Sequence, residues 1–91
     1  MQTRTLEPVD ALTNRLLTIL ARSSDGAVSI DPGEAERPLR ELGITSVAIL
    51  NFLVAIEDDL SMEWSPDQPR ETFRSIASIA ETLRDAYHVS L

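Results

Sequence analysis

From Val47 to Leu60 the apolar residues Ile49, Phe52, Leu53, Ile56 and Leu60 fall at i, i+3, i+4, i+7 and i+11, a spacing that only a helix gathers onto one face. A chain whose most apolar segment is an amphipathic helix must provide other helices to cover that face. Upstream, Leu12, Leu16, Leu17, Ile19 and Leu20 recur at spacings of three and four, with Thr13, Asn14, Arg15, Thr18 and Arg22 between them, predicting a helix with one packed and one wet side. Downstream, Ser75 stands where a helix cap is expected, ahead of Ile76, Ile79, Ala80, Leu83 and Tyr87 at core-facing intervals. A turn over Ser65-Pro66-Asp67-Gln68-Pro69 and a short helical piece over residues 70–74 fill the space between. The pattern predicts an all-α fold: a four-helix bundle of three main helices and one short one.

Pro8 suits the first turn of the opening helix, where its missing N–H costs nothing, and residues 1–6 read as a frayed terminus. Ser23-Ser24-Asp25-Gly26 should stop that helix. The connection that follows, residues 27–41, is long and broken by Pro32, Gly33 and Pro38. Val28, Ile30, Leu39 and Leu42 give it apolar anchors, which predicts an ordered loop rather than a linker. Ninety-one residues make one small domain, able to bury roughly 60% of the surface its unfolded chain exposes.

Charge narrows the partners. Fifteen acidic residues against eight arginines, with no lysine and a formal charge of -7, argue against nucleic acid or an anionic membrane, because phosphate recognition needs local positive charge. The absence of cysteine removes disulfides, thiol catalysis and soft-metal sites together, and fits a cytoplasmic setting. The first ten residues hold Arg4, Glu7, Pro8 and Asp10 with no apolar run, unlike a secretory leader. His88 is the sole histidine and lies near the C-terminus, a poor place for a catalytic base, and no phosphate-cradling glycine loop or metal-ligand spacing occurs. No catalytic residue and no metal is expected. Glu57, Asp58 and Asp59 read as a solvated charge run, and Trp64 as a packing residue.

One hydroxyl remains. Ser46 follows Leu42-Gly43-Ile44-Thr45, so a glycine-containing turn delivers it to the first turn of the apolar helix, close to unpaired N–H groups and the positive end of the helix dipole. It is either a plain helix-starting or capping serine or an attachment point for a phosphodiester. A second stripe, Val47, Asn51, Val54 and Asp58, runs along a face next to it. A small bundle can hardly bury both stripes, so Val47 and Val54 either pack under the long loop or form a docking surface.

Leu39-Arg-Glu-Leu42-Gly43-Ile-Thr45-Ser46-Val47, the helix after it, its acidic end and the closing Thr72-Phe73-Arg-Ser75-Ile76 resemble the acyl and peptidyl carrier protein family over about residues 39–84. The resemblance implies an acyl-carrier-like bundle with a long first loop, the carrier domain spanning 7–88 and a tail at 89–91. It implies covalent phosphopantetheine, taken from coenzyme A, on Ser46, with Thr45, Val47, Ala48, Asn51, Val54 and Asp58 as the partner-binding residues. Thr45 stands where carriers of fatty-acid type usually have aspartate; it keeps a capping oxygen and loses a negative charge. Implied partners are a phosphopantetheinyl transferase, a loading enzyme (acyltransferase, ligase or adenylation enzyme) and downstream biosynthetic enzymes of polyketide or nonribosomal peptide type, served by a monomer. The alternatives are an unmodified helical adaptor gripping partners through Val47 and Val54 and, more remotely, a small serine hydrolase.

Overall fold

The computed structural model describes residues 10–90. Three α-helices form a bundle: α1 (Ala11–Ser23), α2 (Ser46–Leu60) and α3 (Ile76–Ala86), with 3-10 turns at Pro32–Glu34 and Arg70–Phe73. The second of these turns is the short helix of the expected bundle. No strand occurs among the described residues, and no helix there is long and apolar enough to cross a membrane.

Each helix starts on a side-chain cap. Asp10 accepts from the Thr13 N–H at 2.8 Å to open α1, so that helix begins later than the Pro8 reading placed it. Pro8 itself, like residues 1–6, lies outside the described residues. At the other end Ser24 closes α1, and Asp25 and Gly26 take positive φ, as the Ser-Ser-Asp-Gly stop requires. Ser75 opens α3 through a reciprocal capping box with Ser78.

The core gathers Leu12, Leu16, Ile19 and Leu20 of α1, Phe52 and Ile56 of α2, and Ile76, Ile79, Ala80 and Leu83 of α3. Ile49, Leu53 and Leu60, from the predicted α2 stripe, pack around it half-buried. Thr13, expected on the wet side of α1, is buried, because it stands three and seven residues before Leu16 and Leu20 and so shares their packed face. The long loop is fastened as its anchors predict: Leu39 is fully buried, Val28, Ile30 and Leu42 pack against the core, and Ala35 adds an unforeseen anchor. Its backbone is also bonded to the last helix region, Leu39 N to Arg74 O at 2.8 Å and Ala77 N to Ala35 O at 2.8 Å.

The acidic end of α2 departs from the expected solvated run. Asp59 binds Arg15 at 2.6 Å and lies 3.8 Å from Arg22, which draws the C-terminal end of α2 onto α1. Glu57 accepts from the Trp64 N–H at 2.9 Å. Only Asp58 of the three is exposed. Two carboxylates are half-buried and satisfied by partners from α1 and the following loop, a pairing invisible in the local charge pattern. Trp64 packs edge-on against Phe73 and Tyr87 and donates Nε1–H to the Leu53 carbonyl, closing the loop between α2 and α3. Beyond α3, the Val89 N–H donates to Leu83 O at 2.9 Å, and Val89 packs on the core.

Candidate functional site

The turn that leads into α2 is built from backbone bonds. Leu39 O accepts from the N–H groups of Leu42 and Ile44, and Arg40 O accepts from Gly43 N–H. Gly43 sits at φ 81, where an L-side chain is strained, so glycine is what allows the chain to fold back and present the next residues outward. Ile44 is buried and pins the turn, while Thr45 and Ser46 emerge exposed.

Thr45 is the cap of α2. Its backbone is extended, its Oγ1 accepts from Ala48 N–H at 3.1 Å, and its carbonyl accepts from Ile49 N–H at 3.0 Å. That relieves Ser46 of capping. Ser46 is the first residue of the helix, exposed, and its Oγ makes no hydrogen bond to any described residue. The N–H groups of Ser46 and Val47 likewise have no partner among the described residues, and the first turn of α2 holds no acidic side chain. A hydroxyl and two N–H donors without partners among the described residues therefore lie together at the positive end of a four-turn helix, an environment that favours an attached anion.

The outer face of α2 is apolar. Val47 and Val54 are 67% and 60% exposed, so they do not lie under the long loop. Leu50, which the sequence reading passed over, is 63% exposed between them. Its position was legible: three residues after Val47 and four before Val54, it completes the stripe. Asn51 and Asp58 border this face and are exposed, whereas Ala48 is half-buried against the core and offers a partner little surface. Around Ser46, then, the structure brings together Thr45, Val47, Leu50, Asn51 and Val54, and Asp58 is the one carboxylate of α2 without a partner among the described residues.

The sequence profile of the family described as phosphopantetheine attachment site matches residues 14–83. The chain belongs to that family. Members carry a covalently attached phosphopantetheine group and are acted on by other enzymes, and the helical bundle described above is consistent with the acyl and peptidyl carrier fold. Comparison with curated proteins and with solved structures gives no match. The residues of this carrier fit the group: a solvent-facing hydroxyl and neighbouring helix N–H groups that have no partner among the described residues, and no carboxylate in the first helical turn to oppose a phosphodiester. When attached, phosphopantetheine supplies the thiol that a cysteine-free chain lacks.

Proposed function

We propose that this carrier is free-standing, bears phosphopantetheine on Ser46, and holds acyl or aminoacyl intermediates as thioesters for separate enzymes of polyketide or nonribosomal peptide assembly. One observation carries the choice of residue: Thr45 takes the capping bond and leaves Ser46 exposed, its Oγ without a partner among the described residues. No described residue is bonded to that oxygen, so the transferase must supply the base that activates it. Ser46 Oγ then forms the new O–P bond while the nucleotide half of coenzyme A leaves.

The exposed stripe of Val47, Leu50 and Val54 is the surface through which the loading enzyme and later enzymes recognise the carrier, with Thr45, Asn51 and Asp58 at its margins. Of the three carboxylates at the end of α2, two are engaged inside the molecule. Apolar contact rather than charge therefore sets affinity on this face. The carrier unit spans residues 7–88 and works as a cytoplasmic monomer, since a shuttle has to offer one face to successive enzymes.

Intact mass after incubation with coenzyme A and a broad-specificity phosphopantetheinyl transferase tests the assignment. One phosphopantetheinyl group is gained by the native chain and none by Ser46→Ala. A native chain that stays unmodified would instead be an adaptor using the same apolar stripe.

A further inference from the structure

The arginines of this carrier divide by location. Arg15 and Arg22 meet Asp59, Arg37 meets Glu34, and Arg84 meets Asp10. Arg40, Arg70 and Arg74 are exposed and have no carboxylate partner among the described residues. All three belong to the two segments that hold Ser46 in place. Arg40 lies in the turn before α2, where its carbonyl accepts from Gly43 N–H at 3.1 Å. Arg74 follows the 3-10 turn Arg70–Phe73, and its carbonyl accepts from Leu39 N–H at 2.8 Å, while Leu39 O accepts from Ile44 N–H at 3.2 Å. One hydrogen-bonded unit therefore joins the backbone at Arg40 and Arg74 to the residues that present Ser46. Segments 39–46 and 70–75 hold three arginines against Glu41 and Glu71, whereas the rest of the chain holds five arginines against thirteen acidic residues. The first turn of α2 adds no acidic side chain. A molecule with a formal charge of -7 thus turns its least negative end toward whatever approaches Ser46.

We infer that Arg40 and Arg74 form a cationic rim that meets the phosphates of the coenzyme A held by the phosphopantetheinyl transferase. It rests on the assignment of Ser46 as the attachment residue. To reach the pyrophosphate of coenzyme A, Ser46 has to approach a nucleotide that also carries a ribose phosphate, and the overall negative charge of the carrier opposes that approach. Guanidinium groups are matched to phosphate oxygens in both charge and geometry. Placed on the segments beside Ser46, they offset the repulsion where the two molecules touch, and so act on the rate of productive encounter. When the nucleotide half departs, the anion that the rim meets goes with it, which favours release of the modified carrier. The division of labour is spatial: the rim serves the transferase, and the Val47, Leu50 and Val54 stripe serves the enzymes that act on the arm.

Modification by a broad-specificity transferase is followed by intact mass over a range of carrier and salt concentrations, with coenzyme A saturating. The double variant Arg40→Gln/Arg74→Gln should lose about fivefold in kcat/KM, through KM for the carrier with kcat kept, and the gap to the native chain should close at high salt. Arg40→Lys/Arg74→Lys should keep most of the native rate. Arg22→Gln/Arg84→Gln, which removes the same charge elsewhere, should be modified like the native chain. With dephospho-coenzyme A, which lacks the ribose phosphate, the loss in Arg40→Gln/Arg74→Gln should shrink. The rim is overturned by an undiminished rate in Arg40→Gln/Arg74→Gln, by an equal loss in Arg22→Gln/Arg84→Gln, or by an equal loss with dephospho-coenzyme A, which would assign the contact to acidic side chains of the transferase. Each of these leaves the Ser46 assignment intact so long as Ser46→Ala gains no mass. A native chain that gains no mass overturns both.

Discussion

The starts of α2 and α3 use the same chemistry to opposite ends. At α3 the capping residue is Ser75, whose Oγ accepts from Ser78 N–H at 3.0 Å in a reciprocal box and which is only 3% exposed. At α2 the capping residue is Thr45, and the serine comes one position later, outside the capping geometry and in solvent. A one-residue offset separates a structural hydroxyl from a chemically available one. Capping consumes one oxygen per helix start; any further hydroxyl in the first turn is left over, and whether it can be used depends on which way the turn before it faces.

Substitutions at the two starts should part company most sharply in modification. Ser46→Ala should abolish the phosphopantetheinyl mass gain while moving unfolding free energy by less than about 0.5 kcal/mol, whereas Ser75→Ala should be modified and lose about 1–2 kcal/mol in urea unfolding. Equal stability losses would break the contrast. On the exposed side of α2, Val54→Asp or Leu50→Asp should weaken binding to the loading enzyme about tenfold, ~1.4 kcal/mol, with unchanged thermal unfolding and little dependence of the native affinity on salt. A strong salt dependence would put charge rather than apolar contact in control of that face. Thr45→Ala should cost about 1 kcal/mol of stability, and Thr45→Asp should restore it, a direct measure of the cap that keeps Ser46 free.

The smallest effect belongs to the start of α1. The Thr13 backbone N–H bound to Asp10, helped by the Thr13 side chain and by Arg84 at 2.6 Å, lowers the Asp10 carboxyl below its ordinary value, against an opposing push from burial. A carboxylate with a lowered folded-state pKa stabilises the fold above its unfolded value, ~3.9, and loses that contribution as pH falls through the lower folded one. Asp10→Asn should therefore flatten the acid limb of the stability profile below about pH 4, followed by circular dichroism, and leave the neutral region with a change of a few tenths of a kcal/mol.

Much of the bundle was legible because helices write their packing into local spacing. The core residues of α1, α2 and α3, the stop at Ser24 to Gly26, the Ser75 cap and the loop anchors Val28, Ile30, Leu39 and Leu42 all follow from residues within a few turns of one another. What escaped was long-range. Asp59 meets Arg15 across 44 residues, and the Tyr87 hydroxyl accepts from Ser65 N–H while donating to Gln68, so the loop after α2 is tied to the end of α3. Neither pairing has a signature in its own neighbourhood. Leu50 was missed for a different reason: a leucine inside an apolar helix invites assignment to the core, although its spacing from Val47 and Val54 already places it on the outer stripe.

By itself the sequence determined a helical bundle, a glycine turn before a serine and an apolar second helix, because 3.6-residue periodicity and the conformational demands of glycine and capping residues act over a few positions. The tertiary structure decided which hydroxyl is left exposed beside its cap, which carboxylates find partners and which apolar stripe stays bare. Those outcomes depend on how the helices lie against one another, and a surface belongs to the assembled bundle rather than to any one of its segments.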